Sequence, residues 1–418
     1  MFACRAKLLE ALVATCLLEE IDGGGHVGWR AVSVEVQPVR SRGDRRAFVD
    51  LPFRLHATGT PWVPPLRLER RLFLTPRLNP FFTHGEAELF LARREGRVVG
   101  RISAQIDLAF NAYHDNSWGM FGFLEFEEDA ELLEALLDAV AAWLGERGRD
   151  RMVGPMDFTM NDEAGVLIEG FDREPMVRQP WHPPYYARLC EEAGLEKAMD
   201  LLMWELRIGD RDRILPIIHR LADDLEPKHG ITIRKMTRRR LRRDLDAFAE
   251  IWNEAWSRNW GFVPYTKADL DAYAQEMHLV FDPDWFMVAE NQAGETVGVA
   301  ITVPDINQVL KRMGGRVLPL GWWHYLRRRR IIDRCRIGFL GVKPAYQHTG
   351  VAAGFYIEHF AMAEATRVKW GEGGWVLETN KGLNRGMEAL GGRIDKRYRV
   401  YERASEPAST ATLHSQRA

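Results

Sequence analysis

Gln347-His348-Thr349-Gly350-Val351-Ala352 is a small polar loop between two apolar stretches. Before it, Ile337, Phe339, Leu340 and Val342 read as a buried strand that Pro344 ends. After it, Ala353, Tyr356, Ile357, Phe360, Ala361 and Glu364 recur at helical spacing, so a helix is predicted from about Gly350 to Ala365. The first N–H groups of a helix lack partners within it, and the helix dipole adds partial positive charge there. A loop of this kind is therefore a site for a phosphate or pyrophosphate. At Gly350 a side chain would hold that group away from the backbone. Two carboxylates offer acid–base chemistry: Glu378, at the end of the apolar run WVLE, and Asp305, in Pro304-Asp305-Ile306-Asn307-Gln308. Plainer readings are a strand-end glutamate and a capped turn. Asn380 and Asn384 follow between that strand and the next helix. His84 reads as structural, and no His, Cys or acidic cluster has metal-type spacing.

The elements that must position these residues occur twice. In the first half, LFLARREGRVVGRISAQI is a hairpin turning at Arg94-Glu95-Gly96, MFGFLEF is a strand, and Ala130 to Leu144 is a helix with one apolar face. A helix ending at Gly194 and a strand from Leu201 to Leu206 close this half. In the second half, FMVAENQAGETVGVAITV repeats the hairpin, IGFLGV repeats FGFLEF, and NRGMEALGGRIDKRYRVYER repeats the closing helix and strand. The expected fold class is α/β: two tandem units of about 200 residues, each a mixed central sheet flanked by helices. The expected division is 1–32 as an extension of uncertain order, 33–227 and 228–403 as the two units, and 404–418 as a disordered tail. Where the second copy has QHTGVA, the first has Phe126-Glu127-Glu128-Asp129, whose carboxylates would repel a pyrophosphate.

Gln347-x-x-Gly350-x-Ala352 after an apolar strand resembles the coenzyme A loop of the GNAT superfamily of acyl-CoA N-acyltransferases. From about Val34 to Arg403 the chain resembles a bacterial family of tandem GNAT-like proteins, through NPFFTHGEAELFLA, GPMDFTMNDEAGVLIEGFD, NEAWSRNWGFVPYT, VPDINQVLKRM and ETNKGLNRGMEALGGRIDKRYRVYER. The resemblance implies acyl-CoA as a substrate, no metal, and transfer of the acyl group to a primary amine. Some relatives resemble bacterial ceramide synthases, which implies a long-chain amino base and a place in sphingolipid metabolism. It also implies that the main chain at Leu340, Gly341 and Val342 holds the pantetheine arm and polarises the thioester carbonyl. Gln347 to Ala352 would hold the pyrophosphate, Asn380 and Asn384 would contact the arm, and Glu378, or else Asp305, would be the base. Many GNAT enzymes carry a tyrosine acid where this chain has Met387. A non-catalytic acyl-CoA or lipid-binding protein is the alternative function.

A formal net charge of −2 over 418 residues argues against a dedicated nucleic-acid binder. Cys4, Cys16, Cys190 and Cys335 lack paired spacing, as in a reducing, cytoplasmic compartment. The second copy alone carries the insertion KRMGGRVLPLGWWHYLRRRRIIDR. Trp322 and Trp323 beside Arg327, Arg328, Arg329 and Arg330 suit an anionic membrane surface, the inner membrane in this setting, with rings at headgroup level and arginines on phosphates. A helix that packs its rings on the domain is the competing reading. Asn161-Asp162-Glu163 and His182-Pro183-Pro184-Tyr185-Tyr186 are polar clusters of the first copy that would line an acceptor cleft between the copies, or else be a capped loop and a helix start.

Overall fold

A computed structural model describes residues 33–56, 59–209, 214–257, 259–272 and 281–404. The expected extension and nearly all of the expected tail lie outside the described residues. Ala404 closes the last strand.

The first half runs β1 (Glu35–Pro38), α1 (Arg42–Leu55), β2 (Gly85–Arg94), β3 (Arg97–Asp107), α2 (Leu108–His114), β4 (Trp118–Phe126), α3 (Ala130–Gly145), β5 (Arg151–Gly154), β6 (Val166–Glu169), α4 (Tyr185–Glu192) and β7 (Glu196–Leu206). After a linking helix, α5 (Pro216–Asp223), the second half runs β8 (Thr232–Lys235), α6 (Leu241–Trp256), β9 (Phe286–Glu290), β10 (Thr296–Pro304), α7 (Gly321–Leu326), β11 (Arg334–Val342), α8 (Val351–Ala365), β12 (Trp370–Leu377), α9 (Lys381–Ala389) and β13 (Arg393–Ala404). The hairpin β2–β3 closes on Glu95 and Gly96, both at positive φ, as the twist of a two-residue turn requires. Asp129 caps α3 by accepting from the N–H of Leu132, and Leu132, Leu133, Leu136, Leu137, Val140 and Trp143 are buried against the sheet. Helix α8 is apolar almost all round, because the sheet covers one side and α5 packs on another.

All thirteen strands among the described residues join one mixed sheet, ordered β1-β2-β3-β4-β5-β13-β7-β12-β11-β10-β9-β8, with β6 beside β13. The order reads nearly the same from either end, with one exchange at the middle. The last strand of the second half, β13, pairs with β5 of the first (Tyr401 opposite Gly154). The last strand of the first half, β7, pairs with β12 of the second (Leu202 opposite Val376). From Val34 onward the halves therefore form one compact unit, and the expected boundary at 227–228 falls within a short helix, Leu225–His229. At the exchange, Lys396 of β13 is ion-paired with Glu372 of β12, both 1% exposed, and Gln179 of the first half donates to Glu372 at 2.9 Å. Removing one partner of such a buried pair strands the other charge, at a cost of about 3–5 kcal/mol.

Candidate active site

Each half contains a parallel pair that comes apart. Strands β11 and β12 pair from Arg334 opposite Trp370 to Ile337 opposite Gly373. Beyond this point β11 keeps its bonds to β10 and β12 keeps its bonds to β7. From Gly338 to Val342, no strand among the described residues pairs with the β12-facing edge of β11. Such an edge presents main-chain N–H and C=O groups to whatever enters the gap. Gly338 is exposed there, and a Cβ on it would meet nothing nearer than the Ile301 carbonyl at 3.6 Å.

In the first half β4 and β5 part after Met120 and Val153, but the chain fills its own gap. Met156 donates its N–H to the Phe121 carbonyl at 2.8 Å, and the Asp157 carboxylate accepts from the N–H of Phe123 at 2.8 Å. A Cβ on Gly122 would fall 1.9 Å from the Met156 oxygen, and Phe158 stacks on Phe81 in the space beyond. The three carboxylates after Phe126 are also spoken for. Glu127 pairs with Arg97, Glu128 with Arg188, and Asp129 with Arg94. The first copy's gap is thus bridged by its own chain, and its three carboxylates are paired.

Against the open gap lies a cavity of about 220 Å³. Phe248, Trp252 and Trp256 of α6 form one wall, Phe339 and Trp375 another, and Trp260, Phe262 and Tyr265 of the following loop a third. The first copy holds that loop in place. Tyr113 donates its hydroxyl to the Ser257 carbonyl at 3.0 Å, and His114 Nε2 is 2.8 Å from the Phe262 carbonyl. The first copy also contributes Met160, Asn161, Asp162 and Arg178 to the lining, so the cavity is composite. Arg336 reaches it from β11, bonded to the carbonyls of Val177 and Gly374, and the Trp375 indole N–H is buried without a partner among the described residues. An enclosed donor without an acceptor favours a ligand that supplies one.

The loop before α8 is two turns of 3₁₀ helix, Pro344–Thr349, and the first turn of α8 has no side-chain cap. Gln347 and His348 are exposed, and Gln347 donates to the Val342 carbonyl at 3.3 Å. Thr349 is turned inward, donating to the Tyr346 carbonyl at 2.7 Å. Val351 is buried and Ala352 half-buried. Gly350 has a second reason to be glycine beside the expected one. Its φ is +90°, and a Cβ would lie 2.7 Å from the Leu221 carbonyl of α5, so the linking helix already requires glycine. Gly341 likewise answers to packing, since a Cβ there would strike the Phe339 ring at 2.5 Å and Ile251 at 2.9 Å. Leu340 is half-buried and Val342 buried beside it.

The four polar candidates are engaged elsewhere. Glu378 lies 2.8 Å from Lys197 Nζ, accepts from the N–H of Asp200 at 3.2 Å, and does not line the cavity. Asp305 is fully buried, 2.7 Å from Arg334 Nε, and accepts from the N–H of Asn307. Burial pushes its carboxyl up to about 6, against the pull of Arg334. Asn380 caps α9, and Asn384 bridges the indole of Trp204 to the Leu377 carbonyl. Met387 is buried in the core. Asn161 and Asp162 do reach the cavity. His182 and Tyr186 belong to the first copy's interior. His182 accepts from the N–H of Leu167, and burial pushes its imidazole down to about 4. Tyr186 donates to Glu125, itself 2.9 Å from His56. Among the described residues no group of three or more His, Cys, Asp or Glu is arranged to hold a metal ion.

Individual candidates from the sequence omitted Arg336, Gly338, Phe339 and Trp375. None of the four lies in a string that carries the resemblance, whereas NEAWSRNWGFVPYT and GPMDFTMNDEAGVLIEGFD supply other residues of the lining, among them Trp256, Phe262 and Asn161.

No family model matches the chain. It is 36% identical over 380 residues to a bacterial ceramide synthase of Caulobacter vibrioides, covering 89% of this chain and 97% of that protein. It is 31% identical over 377 residues to Protein YghO of Escherichia coli, covering 88% and 95%. Among solved structures, a tandem GNAT protein from the clavulanic acid biosynthesis pathway superposes with a TM-score of 0.54 at 14% identity, over 90% of this chain and 100% of that one. The fold is thus a tandem GNAT fold.

Proposed function

The chain belongs to the family of the Caulobacter vibrioides bacterial ceramide synthase, and on that premise we propose that it is an acyltransferase that moves an acyl group from coenzyme A to a primary amine. The observation that carries this reading is the open edge of β11, between the uncapped first turn of α8 and the aromatic cavity. Acyl-CoA is here a substrate. Its pyrophosphate suits the loop Gln347 to Ala352, its arm suits the strand edge at Leu340 to Val342, and its acyl end suits the cavity. Amide formation from a thioester needs a polarised carbonyl and a neutral amine. The unpaired main-chain edge of β11 suits the first task. A thiolate leaves readily, so the absence of a tyrosine at Met387 is compatible with turnover. The acceptor in this reading is a long-chain amino base, as the relative's name suggests.

The acceptor's lipid character is supported by the insertion. Trp322 and Trp323 are 44% and 48% exposed, and Leu318, Leu320 and Leu326 more so, which disfavours a helix packed on the domain. No helix among the described residues is long and apolar enough to cross a membrane. Docking of this face on an anionic cytoplasmic surface is the corresponding proposal.

Incubation with acyl-CoA donors of graded length and a panel of amines, read by mass spectrometry of the amide and release of free thiol, tests the reading. Acyl-CoA binding with no amide from any amine would favour the binding-protein alternative.

A further inference from the structure

We propose that a second cavity, which meets the aromatic one along a shared wall, is the site that binds the amine acceptor, with its alkyl chain along the apolar wall and its ammonium on Asp107 and Asp269, on either side of His84. The proposal rests on the transferase reading and assigns its acceptor site. This cavity has a volume of about 420 Å³. Its apolar wall is made by Leu66, Leu68, Leu72, Phe73 and Leu78 of the first copy, with Val317 of the insertion opposite. Leu68 and Leu78 are each 61% exposed, and Val317 leads directly into the exposed Leu318 and Leu320. An apolar mouth of this kind, continuous with an exposed apolar face, suits an alkyl chain.

The floor has the opposite character. Asp107 is 1% exposed. Its Oδ1 accepts from the N–H groups of Ala109 and Phe110 at 2.9 and 3.0 Å and lies 3.0 Å from His84 Nδ1. Its Oδ2 is buried and has no hydrogen-bond partner among the described residues. Buried carboxylate oxygens are normally satisfied, so Oδ2 marks a place for an incoming donor. Asp269 Oδ1 stands 3.7 Å from His84 Nε2, on the imidazole's other side. Asp162 lies 3.4 Å from Arg178 at the next position along the wall. Three carboxylates thus face one guanidinium and one imidazole, and Glu69 at the mouth is already paired with Arg70. That surplus repels an anionic ligand and suits an ammonium, whose three donors match the unsatisfied oxygen. Asn161, Asp162, Arg178 and Tyr265 line both cavities, which sets the proposed acceptor site side by side with the cavity suited to the acyl end.

Dodecylamine, kept below its micellar concentration, is titrated calorimetrically into the full chain with no acyl donor present. Saturable binding is expected. Loss of a charged partner or of the apolar wall should weaken it about tenfold or more in Asp269→Asn and in Leu72→Glu, and dodecanol, with the same chain and no charge, should bind the parent about tenfold more weakly than the amine. Leu72 is 47% exposed, so its variant keeps the test sound if Asp269→Asn folds poorly. Acyl-CoA affinity should be unchanged in both variants. Equal dodecylamine binding by parent and folded variants, or equal binding of dodecanol, overturns the assignment. Failure of acyl-CoA to bind would instead sink the transferase reading and leave the amine result standing.

Discussion

Gly350 and Leu221 touch backbone to backbone: a Cβ on Gly350 would come within 2.7 Å of the Leu221 carbonyl oxygen. The helix linking the two copies is thereby seated on the start of α8, beside the loop proposed for the pyrophosphate. Gly350→Ala should lower stability by about 1–2 kcal/mol from its left-handed backbone alone, with more from the contact. Any loss of acyl-CoA affinity in that variant would be mixed with this effect. Gln347→Ala is the cleaner probe, because Gln347 is exposed and makes one long bond to the Val342 carbonyl. It should leave unfolding within about 0.5 kcal/mol of the parent and weaken acyl-CoA binding. Calorimetry showing unaltered affinity in Gln347→Ala would move the pyrophosphate away from this loop.

The exchange of β7 and β13 has a consequence for dissection. Residues 33–227 alone would leave β5 without β13 and β7 without β12, and residues 228–404 alone would leave the complementary gaps. The fragments would expose unpaired strand edges, bearing Leu201 and Leu202 in the first and Tyr398 and Val400 in the second, all buried in the intact chain. Neither fragment should give a cooperative melt when expressed alone, and co-expression should restore one. A sharp, independent transition for either fragment would show that the exchange is not needed for folding.

The repeat, the hairpins and the helix faces were legible because they are local: periodicities of 2 and 3.6 and a two-residue turn at Glu95-Gly96 report themselves in any short window. The exchange was not legible. Tyr401 and Gly154 are far apart in sequence, and a closing strand looks alike whether it returns to its own copy or crosses to the other. The same blindness affected the glycines. Gly350, Gly341 and Gly122 each answer to a distant group, Leu221, Ile251 and Met156, that no window includes. The polar candidates Glu378 and Asn384 follow a strand end in the sequence, but their partners Lys197 and Trp204 come from the exchanged strand β7, while Asn380 caps its own helix. Cavity walls were only half legible, as aromatic-rich strings without a stated face.

Glu378 provides a sharp comparison of two readings. As a base it should lose turnover on conversion to glutamine with acyl-CoA affinity spared. Its placement, ion-paired with Lys197 and outside the cavity lining, leads us to expect turnover within about twofold of the parent. The amide can still accept from the N–H of Asp200. Steady-state kinetics with a saturating amine decide the matter, and a drop of about a hundredfold in kcat with KM for acyl-CoA unchanged would restore the carboxylate as the base.

The insertion offers its rings and its charge together. Arg327 lies over the Trp323 ring at 5.8 Å and Arg328 over the Tyr325 ring at 4.6 Å, while Arg329 is 3.9 Å from Asp282. An arginine near an anionic bilayer contributes about 1 kcal/mol, so the four from Arg327 to Arg330 are enough for transient docking. The protein should sediment with vesicles containing anionic lipid and much less with neutral ones. Added salt should release it in part, because screening weakens the arginines and leaves the buried rings untouched. Changing all four arginines to glutamine should abolish sedimentation and slow acylation of a long-chain amine presented in vesicles. It should not slow acylation of a short soluble amine, since the arginines lie outside the aromatic cavity. If the fourfold variant sediments like the parent, the insertion does not dock through its charge. The lipid character of the acceptor would then rest on the second cavity and on kinship alone.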